Sequence, residues 1–408
     1  MGIVVQKFGG SSVSDAHHVF NVAKKVISEY KSGNQVVVVV SAQGDTTDNL
    51  IKLSKEINVN NLENLKFKRE LDMLISTGEQ ISASLLAMAI QNLGYSAISL
   101  TGWQAGITTT DEPTDSEIIK INTTRIKSEL DKNNIVIITG FQGINSNFDI
   151  TTIGRGGSDT SAVALAGELE ADFCKIYTDV DGVYTADPRI VPTARKFSKI
   201  SSREIYLLSV YGAQVLNSNS ILLSEKYNTN LKVLSSFDNN SSGTQIIYNN
   251  NYTNNNISGI AIDKNLVKIC INNTDNLLEK LKDTNLINLI KEKDLKPVNK
   301  HDLNFTYFII EESKLNTFLD IIDKEISTEN ILEVSYEKNK SKISVVNLNE
   351  SYNINISSLI FEVLNKSNIN IELILCDNNH VSVVIKSEDL HKAANLIHKK
   401  LFEEDNLY

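Results

Sequence analysis

The 408-residue chain has only three cysteines, Cys174, Cys270 and Cys376, far apart and without Cys-x-x-Cys spacing. Neither a zinc site nor a disulfide framework follows from that pattern, which reads as three inert thiols in a reducing compartment. Long apolar runs are also missing. The longest, such as Val36–Val40, fall far short of the ~20 residues that span a bilayer. The opening MGIVVQKFGG lacks the basic start and extended apolar stretch of a signal peptide, so a cytoplasmic location is expected. Positive charge is in deficit, with a net charge of −10 and a pI near 5.3. That overall field argues against nucleic acid or an anionic membrane as the main partner, though a local basic pocket for a small anion stays open. The chain has no GxxxxGKS/T loop and no HRD or DFG constellation, which excludes a P-loop NTPase and a protein kinase. No histidine arrangement suggests catalysis. The six histidines, among them His17, His18, His380 and His391, read as structural or surface residues.

What is present is ordinary globular composition, 41% hydrophobic and 22% charged, in a length that suits two or three domains. The first half alternates strands with helices. Strands are expected at Ile3–Phe8, Val36–Val40, Ala97–Leu100, Ile135–Thr139 and Phe173–Thr178. Helices are expected at Ala16–Lys31, Ile81–Leu93 and Ser158–Leu169. The wholly apolar Val36–Val40 fits a strand covered on both faces. The alternation predicts a three-layer α/β domain around a mostly parallel sheet over residues 1–248.

Asn, Ser and Tyr dominate Asp238–Ser242 and Asn249–Asn256, and residues 249–256 are read as a linker. Beyond Ile257 the pattern becomes two small α+β modules, 257–338 and 339–408. The first reads as strands Leu266–Ile271, Phe305–Ile310 and Ile331–Tyr336 with helices from Leu277 and over Leu315–Ile326. The second reads as strands Lys342–Val346, Ile369–Leu375 and His380–Ile385 with helices Ile356–Asn365 and Leu390–Phe402. Each approximates the β-α-β-β-α-β, ferredoxin-like arrangement.

Three loops in the first half carry the chemistry. Strand Ile3–Phe8 runs into Gly9-Gly10-Ser11-Ser12 and a helix. Glycines let backbone N–H groups approach an anion, the helix N-terminus adds partial positive charge, and Lys7 adds a full one. Alone, the pattern is equally a tight βα turn. Gly154-Arg155-Gly156-Gly157-Ser158-Asp159-Thr160-Ser161 again opens a helix, and two such loops suit donor and acceptor of a transfer reaction. The third, Tyr177–Arg189, is a strand running into a polar loop in which Asp179, Asp181 and Asp187 are candidate Mg²⁺ or ribose contacts, or plain turn residues.

Together these segments resemble the aspartate kinases of the amino-acid kinase family. KFGGSS (Lys7–Ser12), SAQGDTTD (Ser41–Asp48), STGEQIS (Ser76–Ser82), FQG (Phe141–Gly143), GRGGSDTS (Gly154–Ser161) and YTDVDGVYTADPRIVP (Tyr177–Pro192) fall in the family's order. The resemblance implies phosphoryl transfer from ATP, with Mg²⁺, to the β-carboxylate of L-aspartate, the first step toward lysine, threonine and methionine. By that resemblance Lys7, Phe8, Gly9, Gly10 and Ser11 hold the phosphoryl group and nucleotide, and Asp159 orients Lys7. Glu79 pairs with the substrate ammonium and Arg155 with its α-carboxylate. Gly157 and Ser158 approach the phosphates, Gly156 joins them in binding the substrate, and Ser41, Asp45, Thr46, Thr47 and Asp48 border the substrate cleft. Thr178, Asp179, Tyr184, Asp187 and Arg189 line the ATP site. VSYEKNKSKISVV (Val334–Val346) and NINIEL (Asn368–Leu373) make the C-terminal modules similar to paired ACT domains, which implies a homodimer and a lysine or threonine effector.

Gln214 stands where the family usually carries a lysine near the nucleotide, and Asn217-Ser218-Asn219 replace a common His-Pro-Arg. Asn273–Asn276 and Asn347-Leu348-Asn349 lack the glycines of family effector loops. Altered or absent feedback inhibition is therefore expected. A catalytically weakened, amino-acid-sensing paralogue remains the alternative, as does a kinase of a different amino acid or acyl substrate. Glu79 and Arg155 together argue for an α-amino acid.

Overall fold

The computed structural model describes all residues except 1, 58–63, 155, 214, 239–240, 249–256, 274–294, 301–302, 326–330 and 405–408. Arg155, Gln214, the 249–256 linker, the helix expected from Leu277 and the turn residues 274–276 therefore lie outside the described residues. The chain divides into two compact units. The first comprises residues 1–183, 196–209 and 214–253, and the second comprises 184–195, 210–213 and 254–408.

In chain order the first unit contains β1 (Ile3–Phe8), α1 (Ala16–Lys31), β2 (Gln35–Val40), α2 (Thr46–Ile57), α3 (Leu65–Ile75) and α4 (Thr77–Asn92). There follow β3 (Ala97–Leu100), β4 (Ile107–Thr109), β5 (Ile118–Ile121), α5 (Thr124–Asp131), β6 (Ile135–Thr139), β7 (Gln142–Ile144) and β8 (Ile150–Thr152). The remainder is α6 (Gly157–Glu168), β9 (Phe173–Thr178), β10 (Lys199–Ser201), α7 (Ser202–Val210), α8 (Ser218–Lys226), β11 (Leu231–Ser235) and β12 (Thr244–Ile247). An eight-stranded sheet runs β10-β12-β11-β9-β1-β2-β6-β3. Every pairing in it is parallel save β11 with β12.

Its valines explain its position. Val36 to Val40 are all fully buried, as parallel strands covered on both faces must be. Val36, Val38 and Val40 pack with Val22, Val26, Leu86 and Ile90 of α1 and α4, while α6 lies against β1, β2 and β9 on the other face. The α3–α4 stretch, Leu65–Asn92, is the one described helical run long and apolar enough by composition to cross a membrane. Over half of it is buried here, as befits a core helix.

Helix α4 starts at Thr77, four residues before the expected Ile81, because the polar Thr77-Gly78-Glu79-Gln80 forms its first turn. A second sheet, β5-β4-β7-β8, has strands of three or four residues, too short to show a period. Asp72 of α3 ties into it. This fully buried carboxylate accepts from Thr152 N (3.1 Å), Thr152 Oγ1 (2.6 Å) and Thr114 N (2.9 Å). Burial raises its pKa against the pull of those bonds.

The second unit adds β13 (Ile257–Asn273), β14 (Leu295–Lys300), β15 (Leu303–Glu311), α9 (Leu315–Glu325), β16 (Ile331–Asn347), α10 (Asn353–Lys366), β17 (Leu373–Asp377), β18 (His380–Lys386) and α11 (Leu390–Lys399). Its strands form one antiparallel sheet, β14-β15-β13-β16-β18-β17. Here the structure corrects the sequence reading. Ile331–Tyr336 and Lys342–Val346 are not two strands but parts of β16, so the expected module boundary at 338/339 falls inside a strand. The polar EKNKSK stretch looks like a turn, yet Lys340 pairs with Glu337 and Glu372. Register shifts along β13 and β16 fall beside Asn265 and Asn339, both at positive φ, a conformation asparagine tolerates in a bulge. Two separate cores persist on this shared sheet. One packs Phe308 and Phe318 on Val267 and Ile269, and the other packs α10 and α11 on Ile343, Val345 and Val383. Strand β17 begins at Leu373 and not Ile369.

Removing the Asp72 carboxylate would leave two backbone N–H groups unpaired. Asp72→Ala is expected to cost about 2–4 kcal/mol in urea unfolding, whereas a loss under 1 kcal/mol would mean the clamp is dispensable.

Candidate active site

Parallel α/β sheets place ligands beyond the carboxyl ends of their strands, and the first unit follows that rule. Lys7 closes β1, Ser41 follows β2, and Gly140-Phe141 follow β6. The ladder runs on past the strands, with Ser41 N donating to Phe8 O (3.1 Å) and Gly140 N to Val40 O (3.0 Å). A cleft of about 230 Å³ opens there, lined by Lys7, Gly10, Ser41, Glu79 and the first turn of α6.

Two charged features face this cleft. The Lys7 ammonium lies 2.6 Å from Asp159 Oδ1, with both side chains only about an eighth exposed. Asp159 belongs to the first turn of α6, so the ion pair ties the first glycine loop to the second. Glu79 is 3% exposed. Its Oε1 accepts from Ala42 N at 3.0 Å, while its buried Oε2 has no hydrogen-bond partner among the described residues. Burial raises its pKa to about 7, with the Ala42 bond opposing. An unpaired buried carboxylate oxygen is costly, and in a cleft it is a place for an ammonium.

The glycines are required by close approaches. A Cβ at Gly10 would stand 2.7 Å from Ala42 O, and one at Gly78 would stand 2.7 Å from Ala42 Cβ. Gly156 has φ +74° and lies under the Asn217 side chain. Phe141, at φ +69°, also lines the cleft.

The structure brings together Lys7, Gly10, Ser41, Thr47, Glu79, Gly156, Gly157, Ser158 and Asp159. Asp45 and Asp48 are exposed and outside this lining, and the Thr46 hydroxyl is turned to Gln43 O (2.6 Å). Phe8 contributes no ligand-facing ring, because it is fully buried and stacked on Tyr177 at 4.5 Å. Gly9 precedes the loop's 3₁₀ turn, Gly10–Val13, and Ser11 lies within it. Helix α1 starts at the expected Ala16, beyond the loop, and the Asp15 carboxylate caps it by accepting from His18 N, so its dipole is already answered.

Thr178 ends β9 and Asp179 follows it, the Thr178 hydroxyl donating to Asp179 Oδ1 (3.0 Å). Tyr184, Asp187 and Arg189 fall in the segment of the second unit. Arg189 forks onto both Asp187 oxygens at 3.0 Å. Burial raises the Asp187 pKa, but the Arg189 bonds outweigh it and the net shift is downward. Asp181 is likewise bound to Lys196 (2.7 Å). Asp181 and Asp187 are thus each paired with a cation, Lys196 and Arg189 respectively. Among the described residues the one His/carboxylate trio within ligand range is the surface group Asp15, His17 and His18. Ala42, Gly44 and Phe141 also line the cleft without a role in the sequence reading, although they lie inside the SAQGDTTD and FQG motifs. Asn217, beside Gly156, stood out in the sequence only as a replacement within a common His-Pro-Arg.

Glu79 has an ordinary pKa of 4.5 and a folded-state value of about 7. The folded protein therefore binds this proton more tightly than the unfolded chain, a stabilisation fully present below pH 4.5 and lost as pH rises through 7. Glu79→Gln keeps an acceptor for Ala42 N and carries no charge. It is expected to match the parent in urea unfolding at pH 4 and to exceed it by about 3 kcal/mol at pH 8; equal stability at both pH values would contradict the raised pKa.

Comparison with known proteins places this geometry. Residues 2–235 match the amino acid kinase family and residues 343–401 match an ACT domain. The chain is 39% identical over 407 residues to an aspartokinase of Bacillus sp. (strain MGA3), covering 98% of this chain and 97% of that one. It is 40% identical over 404 residues to an aspartokinase of Geobacillus stearothermophilus, covering 98% and 97%. The fold is similar to that of E. coli aspartokinase III in complex with aspartate and ADP, with a TM-score of 0.78 and 22% identity over 98% of this chain and 100% of that one. The chain belongs to the aspartokinases of the amino acid kinase family and carries a C-terminal ACT domain.

Proposed function

We propose that the protein transfers the γ-phosphoryl group of ATP to the β-carboxylate of L-aspartate, giving 4-phospho-L-aspartate. One observation carries this reading above others. The unpaired buried Glu79 Oε2 and the Lys7–Asp159 pair share one cleft, so a site for an ammonium sits beside a site for a phosphoryl group.

Phosphoryl transfer asks the protein for alignment and charge stabilisation, with little covalent chemistry. A carboxylate nucleophile is already ionised at neutral pH, so no general base is required. The obstacle is repulsion between that carboxylate and a triphosphate. Lys7 and the backbone N–H groups around Gly9–Ser11 oppose it, and Asp159 fixes the lysine's direction. Glu79, on binding the substrate ammonium, gives up its proton, and Arg155 takes the α-carboxylate through a two-pronged contact. Mg²⁺ would arrive on the nucleotide phosphates, to which it adds charge neutralisation; it typically keeps several waters and needs few protein ligands. Thr178, Asp179, Tyr184, Asp187 and Arg189 are the nucleotide side of the reading.

The C-terminal modules are proposed to dimerise and to take lysine or threonine, in a cytoplasmic enzyme that feeds the biosynthesis of those amino acids. Reduced feedback sensitivity is part of the proposal. At Asn347-Leu348-Asn349 the turn is closed by side chains, with Asn349 N donating to Asn347 Oδ1 (3.1 Å) and Asn347 Nδ2 to Asn353 Oδ1 (2.7 Å). Close backbone approach by a ligand is harder where such side chains fill the turn.

Trapping the acyl phosphate with hydroxylamine tests the reaction. Product is expected with L-aspartate and not with glutamate or N-acetylglutamate; no product from aspartate at saturating MgATP would overturn the proposal. Arg155→Ala is expected to raise the aspartate KM about tenfold or more while leaving the ATP KM within twofold, the cost of one charged contact.

A further inference from the structure

The segment 184–195 belongs to the second unit although sequence places it inside the kinase half. Within that unit its packing is extensive. Ala186, Ile190 and Val191 join the core formed by α10, α11 and Ile343, Val345 and Val383. Asn395 Nδ2 of α11 donates to Ile190 O at 2.8 Å, and the Arg195 guanidinium donates to Phe402 O.

At the centre is a fully buried histidine, His398, near the end of α11. Its Nε2 lies 2.9 Å from Thr185 Oγ1. The Thr185 hydroxyl oxygen already accepts from Arg195 N at 3.0 Å. Thr185 is itself buried, so its hydroxyl hydrogen needs an acceptor, and Nε2 is the one within reach. The other ring nitrogen, Nδ1, then carries the proton and points it at Glu403 Oε1 (3.3 Å). Burial lowers the His398 pKa, opposed by Glu403, in keeping with a neutral ring. The Phe402 ring stacks on the imidazole at 4.8 Å. Thr185 N also donates to Arg195 O, and Ile260 N to Thr185 O, so both backbone polar groups of Thr185 are engaged.

We propose that His398 is a positioning residue for the kinase reaction, acting through the Thr185 hydroxyl to hold the Tyr184–Arg189 segment in its nucleotide-binding conformation. The inference rests on the proposed nucleotide roles of Tyr184, Asp187 and Arg189. Thr185 follows Tyr184 directly, and the Asp187–Arg189 fork lies two residues further on, so a shift at Thr185 is passed along a short stretch of backbone.

Steady-state kinetics on the full-length protein test this. Thr185→Val and His398→Ala are each expected to raise the ATP KM about tenfold, the scale of one buried hydrogen bond. The aspartate KM should stay within twofold, the double variant should be no worse than either single one, and Thr185→Ser should restore the parent value. Thr185→Val nearly keeps the side-chain volume, so it reads the hydrogen bond even where His398→Ala fails to fold. An unchanged ATP KM in Thr185→Val, or ATP and aspartate KM values rising together, overturns the proposal. Arg189→Ala separates the two ways of failing. If it raises the ATP KM while Thr185→Val does not, His398 alone loses its role. If neither variant moves it, the nucleotide assignment of the segment falls as well.

Discussion

The ion pair between Lys7 and Asp159 is the contact on which the rest of the site depends. At 2.6 Å and largely shielded from solvent, it joins the end of β1 to the first turn of α6. A lysine among glycines would otherwise move freely, and a point charge on a four-carbon stem aligns nothing unless its direction is held. In the proposed reaction Asp159 sets that direction, and an ammonium has two further N–H donors to offer a ligand. The arrangement places a cation between the two glycine loops, where transferring phosphoryl and acceptor would meet.

The packing that supports that pair is apolar. Val36–Val40 pins the centre of the parallel sheet between α1 and α4 on one face and α6 on the other, which puts Lys7, Ser41, Phe141 and Asp159 at one edge. Glu79 reaches the same edge from the first turn of α4. Its burial is unfavourable for the charged carboxylate, and the protein tolerates it where a substrate cation would answer it. Stability and function therefore pull in opposite directions at this residue.

Much of this was legible in the sequence. β1, α1, β3, β6 and β9 fall where the sequence placed them, α1 by its 3.6-residue apolar stripe and the strands as short apolar-rich runs alternating with helical segments. The three loops were legible as glycines beside charge. The rest was hidden for identifiable reasons. The four-stranded sheet uses strands of three and four residues, and the polar EKNKSK stretch continues as strand because its lysines find glutamates across the sheet. At the first loop the start of α1 was legible, but the Asp15 cap that answers its terminus, and the 3₁₀ turn at the glycines, were not. Phe8 sat inside a motif yet faces the core. His398 carried no local signal at all, because its partner Thr185 is 213 positions away. Contacts of that range belong to the fold and not to any window of residues.

A double-mutant cycle on Lys7 and Asp159, read in kcat under saturating ATP and aspartate, tests the central claim most directly. If Asp159 acts by orienting Lys7, Lys7→Ala and Asp159→Ala each lower kcat at least about a hundredfold, and the double variant is no slower than Lys7→Ala alone. Losses that multiply in the double variant, or a kcat left intact by Lys7→Ala, would contradict the account.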